Sequence, residues 1–307
     1  MNTRARRRFL LAGSALATLA VLTACGSTGA ATPSARGGSP ATAPAATAAA
    51  TSPAETSSSR PPVAITHIHA VARDPNSGEL LLATHEGLFR HVNGELVQNG
   101  QVIDLMGFAV APDGTYYASG HPGAGVDLPQ PVGLITSTDA GRTWRVASRG
   151  GQSDFHALTA GPAAVIGFDG VLRSSTDGTT WTTRTIPAPP RTLAAAPTSG
   201  TLLATTEAGL LASSDTGSTW RPLSPPGTAL LVTWADEKTI VIATTTGQLG
   251  VSSDAGATWT LNPTRIGTAE ALHARRGSDG GLEIVVVADS KVLRTLDGGT
   301  TTENLLP

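Results

Sequence analysis

The sequence predicts an all-β fold, a six-bladed β-propeller with structural turn motifs, preceded by a signal peptide and a disordered linker. Three observations predict it. An eight-residue turn pattern recurs at near-constant spacing. Four short apolar strands fit within each spacing. No stretch carries the 3.6-residue periodicity of a long amphipathic helix.

The recurring octet is clearest at Ser213 to Trp220, SSDTGSTW, and at Ser252 to Trp259, SSDAGATW. Ser137 to Trp144, STDAGRTW, fits the same S-x-D-x-G-x-T-W pattern. Ser174 to Trp181, SSTDGTTW, is a worn copy with Thr176 at the acid position. Thr295 to Thr302, TLDGGTTT, is a last copy without its Trp. The final positions are 144, 181, 220, 259 and 302, in steps of 37, 39, 39 and 43. In each octet a short acid can accept hydrogen bonds from turn N–H groups, and Gly allows a positive φ. Thr and Trp then open a strand, and the Trp can cover a neighbouring sheet. Asp139, Asp215, Asp254 and Asp297 are therefore read as structural, together with Trp144, Trp181, Trp220 and Trp259.

Each unit reads as four strands. Around the octet at 213–220 they are RTLAAAP, TLLATTE, GLLASSD and STWRPLS. Around the next they are ALLVTWAD, TIVIATT, QLGVSSD and ATWTLNP. Two earlier units follow the plan, one from Ile65 without an octet and one from Asp104. Asn76-Ser77-Gly78 and Asp113-Gly114 mark their first turns. Six units of about 40 residues fill residues 63–307, the length of a propeller blade.

The octets resemble the Asp-box, or BNR, repeat of the sialidase-like β-propellers. That resemblance implies that they lie on the hairpin between the third and fourth strands of each blade and carry no chemistry.

Residues 1–24 read as a lipoprotein signal peptide. Arg4, Arg6, Arg7 and Arg8 precede an apolar run from Phe9 to Ala24, too short to span a membrane. The run ends Leu22-Thr23-Ala24-Cys25, which resembles the bacterial lipobox and implies a lipid on Cys25, the only cysteine. Arg6 to Leu10, RRRFL, also resembles the twin-arginine export motif, and both export routes fit. Residues 25–62 are the lipidated Cys and a linker of mostly Ala, Thr, Ser and Pro that buries too little to fold. Four of the 21 basic residues precede residue 25 and no acid does, which leaves 17 basic against 23 acidic. This balance argues against nucleic acid and against electrostatic membrane binding. The expected location is the outer face of the cell membrane, with the lipid as the tether.

Propeller topology sorts the remaining candidates. The octets take one face, so a site is expected on the other, around the central channel. His67, His69, His85, His121 and His156 all fall there and are the expected ligand-binding residues. Asp104, Met106, Asp127 and Asp154 lie on the same side, and His121 and Asp127 share the longest loop. Imidazoles and carboxylates together suit zinc or copper, with His67, His69 and His156 as the expected ligands. No spacing matches a known zinc signature. The ligand expected at this face is a metal, a glycan or a partner protein.

The sialidase resemblance implies three arginines, a tyrosine nucleophile with a glutamate, and an aspartate. Only Tyr116 and Tyr117 are available, both toward the octet face, while Arg149, Arg191 and Arg265 lie on the site face. Sialidase chemistry is not expected. The segments THIHAVARDP, ATHEGLF, DLMGFAV, ASGHPGAGVDLPQPVGLI, SDFHAL and GFDGVLR resemble secreted Asp-box proteins called glycosylhydrolase-like. A glycoside hydrolase using two of Asp104, Asp127, Asp154, Glu86 and Asp169 is therefore an alternative, and a non-catalytic scaffold is another.

Overall fold

The computed structural model describes residues 64–306. The signal peptide, Cys25 and the linker lie outside the described residues. The described chain forms six four-stranded antiparallel sheets, each a meander of consecutive strands, with no α-helix.

Blade 1 contains β1 (Ile68–Arg73), β2 (Leu80–Thr84), β3 (Gly87–Val92) and β4 (Glu95–Asn99). Blade 2 contains β5 (Ile103–Val110), β6 (Tyr116–Pro122), β7 (Leu134–Ser137) and β8 (Arg145–Ser148). Blade 3 contains β9 (Ala157–Ala160), β10 (Val165–Phe168), β11 (Leu172–Ser175) and β12 (Thr182–Thr183). Blade 4 contains β13 (Pro190–Ala195), β14 (Leu202–Thr206), β15 (Gly209–Ser213) and β16 (Arg221–Leu223). Blade 5 contains β17 (Ala229–Trp234), β18 (Ile240–Thr244), β19 (Gln248–Ser252) and β20 (Thr260–Arg265). Blade 6 contains β21 (Ala269–Arg276), β22 (Leu282–Ala288), β23 (Lys291–Thr295) and β24 (Glu303–Asn304). The inner strands pack in the order β1, β5, β9, β13, β17, β21, and β21 returns to β1, so the ring closes.

The core lies between blades. Six apolar clusters correspond to the six blade junctions. The second strands sit between two neighbouring blades, so both faces are covered. That is why LLLAT, LLATT and IVIAT are buried along their whole length. At the closing junction Val71, Leu80 and Phe89 meet Val285, Val287 and Val292, with Ile65, Leu305 and Leu306 packed alongside.

The octets form the turns between third and fourth strands. In the octet at Ser213 to Trp220, Ser213 Oγ donates to Asp215 Oδ1 (2.8 Å) and accepts from Gly217 N (2.9 Å). Thr219 donates its N–H and its hydroxyl to the two oxygens of the same carboxylate, at 2.8 and 2.7 Å. Gly217 takes φ +83°, a conformation that side chains resist. Equivalent bonds surround Asp139, Asp254 and Asp297. These bonds hold the four carboxyls at about 2, below the usual aspartate range.

The worn copy differs from the sequence expectation. Its acid is Asp177, not position 176. Ser175 Oγ donates to Asp177 Oδ1 (3.0 Å), and the N–H groups of Thr179 and Thr180 follow. The turn is one residue shorter than the others, so aligning from its first Ser misplaces the acid. Blade 1 turns instead through Asn93 and Gly94, both at positive φ, a two-residue hairpin needing no acid. The octet tryptophans reach the preceding blade. Trp181 Nε1 donates to Ser148 Oγ and Trp220 Nε1 to the Thr185 carbonyl, both at 2.9 Å.

Candidate functional site

The inner strands enclose a channel of about 600 Å³. Its mouth opposite the octets is shaped by a repeated irregularity. In five blades the pairing of the first two strands slips at one place, between Ile68 and Ala70, Leu105 and Gly107, Pro190 and Thr192, Ala229 and Leu231, and Ala269 and Ala271. A bulge of this kind re-aims the extra residue. Those residues are His69, Met106, Arg191, Leu230 and Glu270. All but Leu230 line the channel, as does His156, which holds the corresponding place before β9. One residue before each apolar partner of the bulge stand His67, Asp104 and Asp154.

Two carboxylates at this mouth gather the imidazoles. Asp104 Oδ1 lies 3.3 Å from His69 Nε2 and 3.0 Å from His85 Nδ1. The three ligating atoms lie within 4.8 Å of one another. His69 comes from β1, His85 from the loop after β2, and Asp104 from β5. The His67 ring stacks on His69 at 4.6 Å between centroids and lies 5.5 Å from His85. Burial, then the neighbouring His67 imidazole, hold His69 below the usual histidine range against the pull of Asp104. The neutral ring that results is the form that ligates metals.

Distance and geometry disagree at this group, and the disagreement is informative. His69 Nε2 and Asp104 Oδ1 are within ion-pair range, yet both are shielded from water and neither makes a well-aligned hydrogen bond. Tetrahedral ligands with bonds of about 2.0–2.1 Å stand about 3.3 Å apart, the separation of His69 Nε2 and Asp104 Oδ1.

Around the second carboxylate, Asp154 Oδ2 lies 2.7 Å from His156 Nε2 and 3.2 Å from His121 Nε2. Of the three expected metal ligands, His69 stands in the group around Asp104, His67 stacks beside it, and His156 stands with Asp154. Between the inner strands of blades 1 and 3 stands β5, whose Asp104 takes the place expected for His156. His85 folds over from its loop to complete the first group. Gly120 keeps β5 and β6 close beside it, since a Cβ there would lie 1.9 Å from the Asp104 carbonyl oxygen.

The other candidates lie elsewhere or are already engaged. Asp127 is exposed in its loop. Glu86 accepts two bonds from Thr66. Asp169 is enclosed by Arg149, Arg173 and Ser153. Arg265 bonds the Thr246 carbonyl in blade 5, Arg191 lines the channel and Arg149 holds Asp169, so the three arginines share no partner. Tyr116 is fully buried, donates its hydroxyl to Asp74, and has its pKa raised by burial and then by that bond. It offers no nucleophile.

Sequence reasoning missed Glu283. This buried acid at the start of β22 accepts from Arg73 (2.8 Å), Arg275 (2.6 Å) and Arg294 (2.8 Å). Burial works against its charge, yet the arginines hold its pKa at about 2. Beside them, burial and then the charges of Arg73 and Arg275 push His273 down to about 4. The available signal was a lone acid opening an apolar strand, LEIVVVA.

No protein-family model and no curated protein matches the chain. Solved structures do. A putative gluconolactonase is 14% identical over 80% of this chain and 92% of that one, with a TM-score of 0.55. YCF48 from Cyanidioschyzon merolae is 15% identical over 79% and 86%, at 0.50. An ancestral GH74 enzyme is 12% identical over 77% of this chain but 37% of that one, at 0.51. At these identities the likeness is one of fold.

Proposed function

We propose that this chain is an exported propeller, tethered by a lipid on Cys25, whose channel mouth binds a divalent transition-metal ion. The observation that supports this is the convergence of His69 Nε2, His85 Nδ1 and Asp104 Oδ1 from three segments of chain. Two imidazoles and a carboxylate suit zinc or copper. His69, His85 and Asp104 would hold such an ion with fewer protein ligands than it takes, and the ion would there supply a Lewis acid for a donor atom of an extracellular ligand. His67 stacks against His69 and fixes its ring. The turn octets belong, in this reading, to the Asp-box repeat of the sialidase-like superfamily. A glycoside hydrolase has less support, because Asp169 is paired with arginines and Glu86 is tied up by hydrogen bonds from Thr66.

The test is elemental analysis of the full chain, expressed with export and extracted in detergent. Wild type should retain zinc or copper, and Asp104→Asn should lose what that group holds. Wild-type protein that stays metal-free after dialysis against zinc overturns the reading. Cys25→Ser should leave the membrane fraction; a variant still anchored there removes the lipid tether.

A further inference from the structure

Four octets end in a tryptophan, and each ring packs in a different blade junction. Trp144 lies between blades 1 and 2, Trp181 between 2 and 3, Trp220 between 3 and 4, and Trp259 between 4 and 5. Trp181, Trp220 and Trp259 stay partly exposed, so the groove that each ring fills opens to solvent. The blade 6 octet ends in Thr302. Among the described residues, no aromatic side chain packs in the apolar cluster between blades 5 and 6.

A cavity of about 250 Å³ lies at that junction instead, walled by Ile266, Leu293, Gly299 and Thr302 itself. Its counterpart in blade 4 shows what such walls accept. There a Cβ on Gly217 would stand 3.3 Å from Leu172 of the preceding blade and 3.6 Å from the Trp220 ring. In blade 6 a Cβ on Gly299 would stand 3.1 Å from Leu249, the equivalent of Leu172, but no ring follows. Asn262 Nδ2 donates to Thr300 Oγ1 across the junction (2.9 Å) and ties the two walls together. Arg265 and Lys291 also line the cavity, against one acid, Asp289, whose Oδ1 accepts the Thr268 N–H at 3.2 Å. Leu296, in the same octet, is 61% exposed, the most exposed large apolar side chain among the described residues.

We propose that this cavity is a docking pocket for a tryptophan side chain of a partner protein, presented beside acidic residues. The repeat itself sets the shape, because equivalent walls hold an indole in blade 4. Thr264, from the preceding blade, offers the indole N–H an acceptor, as Ser148 and the Thr185 carbonyl do for Trp181 and Trp220. The size suits a single side chain, since small-molecule sites occupy about 300–1,000 Å³. Tryptophan is among the side chains most enriched as interface anchors in such pockets. Two cations against one acid at the lining favour an acidic neighbour on the partner. The linker of this chain cannot supply the ring, because residues 25–62 contain no aromatic residue. None of the residues around the cavity lines the channel, so the pocket is independent of the metal proposed at the mouth.

The test is calorimetric titration of the full-length, detergent-extracted chain with the peptide Ac-Glu-Trp-Asp-NH2. Wild type should bind it with a dissociation constant of about 1 mM or tighter, and should bind Ac-Glu-Ala-Asp-NH2 and Ac-Lys-Trp-Lys-NH2 at least about tenfold more weakly. Thr302→Trp fills the cavity from within, so it should raise the denaturation midpoint and abolish binding. Arg265→Glu/Lys291→Glu, at exposed positions, keeps the cavity; it should weaken the acidic peptide and strengthen Ac-Lys-Trp-Lys-NH2. Asp104→Asn should bind the acidic peptide as wild type does, which separates this pocket from the metal at the mouth. No binding by wild type, or binding unchanged in Thr302→Trp, overturns the pocket. Binding lost in Thr302→Trp but unchanged in the charge-reversed protein supports the pocket and overturns the acidic neighbour.

Discussion

The two ends of the ring use the same residue type to opposite effect. At the octet end, Asp215 accepts bonds from a hydroxyl and an N–H four residues on, and its turn satisfies it locally. At the mouth, Asp104 and Asp154 each meet two imidazoles and each keep a shielded oxygen without a proper hydrogen bond. A satisfied carboxylate stabilises the fold. An unsatisfied one held in place by rigid strands is poised for a ligand. The difference separates carboxylates that serve the fold from those on which the proposed ligand site rests.

The largest effect expected at the octet end is at Glu283. Removing its charge with Glu283→Gln leaves the largely shielded guanidinium of Arg73 without its counter-charge, at a cost of about 3 kcal/mol in chemical denaturation. A loss close to zero would break the contrast between the ends. Next comes metal. Zinc at 100-fold above its dissociation constant should add about 2.7 kcal/mol, and raise Tm by roughly 5–10 °C. Asp215→Asn should keep that rise, while Asp104→Asn should lose most of it. Without metal, the order reverses. Asp215→Ala should lower the denaturation midpoint, whereas Asp104→Asn should leave it level or raise it.

Acid sharpens the comparison further. The octet carboxyls titrate near 2 when folded and near 3.9 when unfolded, so their stabilisation is complete above about pH 4 and is lost as pH falls through about 2. An Asp215→Asn/Asp254→Asn protein should show a shallower loss in that window. His273, at about 4 folded against about 6.5 unfolded, stays neutral in the fold. Its contribution is therefore lost as pH falls from about 6.5 through 4. His273→Leu should therefore show a flatter stability profile between those values.

The octets were legible because their chemistry is local. An acid, a Gly and a Thr within eight residues close one turn, and the repeat gives the blade count. The exception at Asp177 shows the limit, since a turn shorter by one residue keeps its bonds while shifting its letters. The histidines were legible as a group because propeller topology assigns each loop to a face. Their pairing was not. Asp104 joins His69 and His85 because the bulge after Ile68 turns His69 inward while β5 packs against β1.

Sequence by itself determined the strands, the turns, the number of blades and which end of the ring each residue occupies. These follow from interactions that reach only a few residues along the chain. Only the tertiary structure decided that β21 closes on β1, that Arg73 crosses 210 positions to meet Glu283, and that the imidazoles divide between two carboxylates. Such contacts depend on ring closure and on bulge geometry, which bring together residues that no spacing in the chain relates.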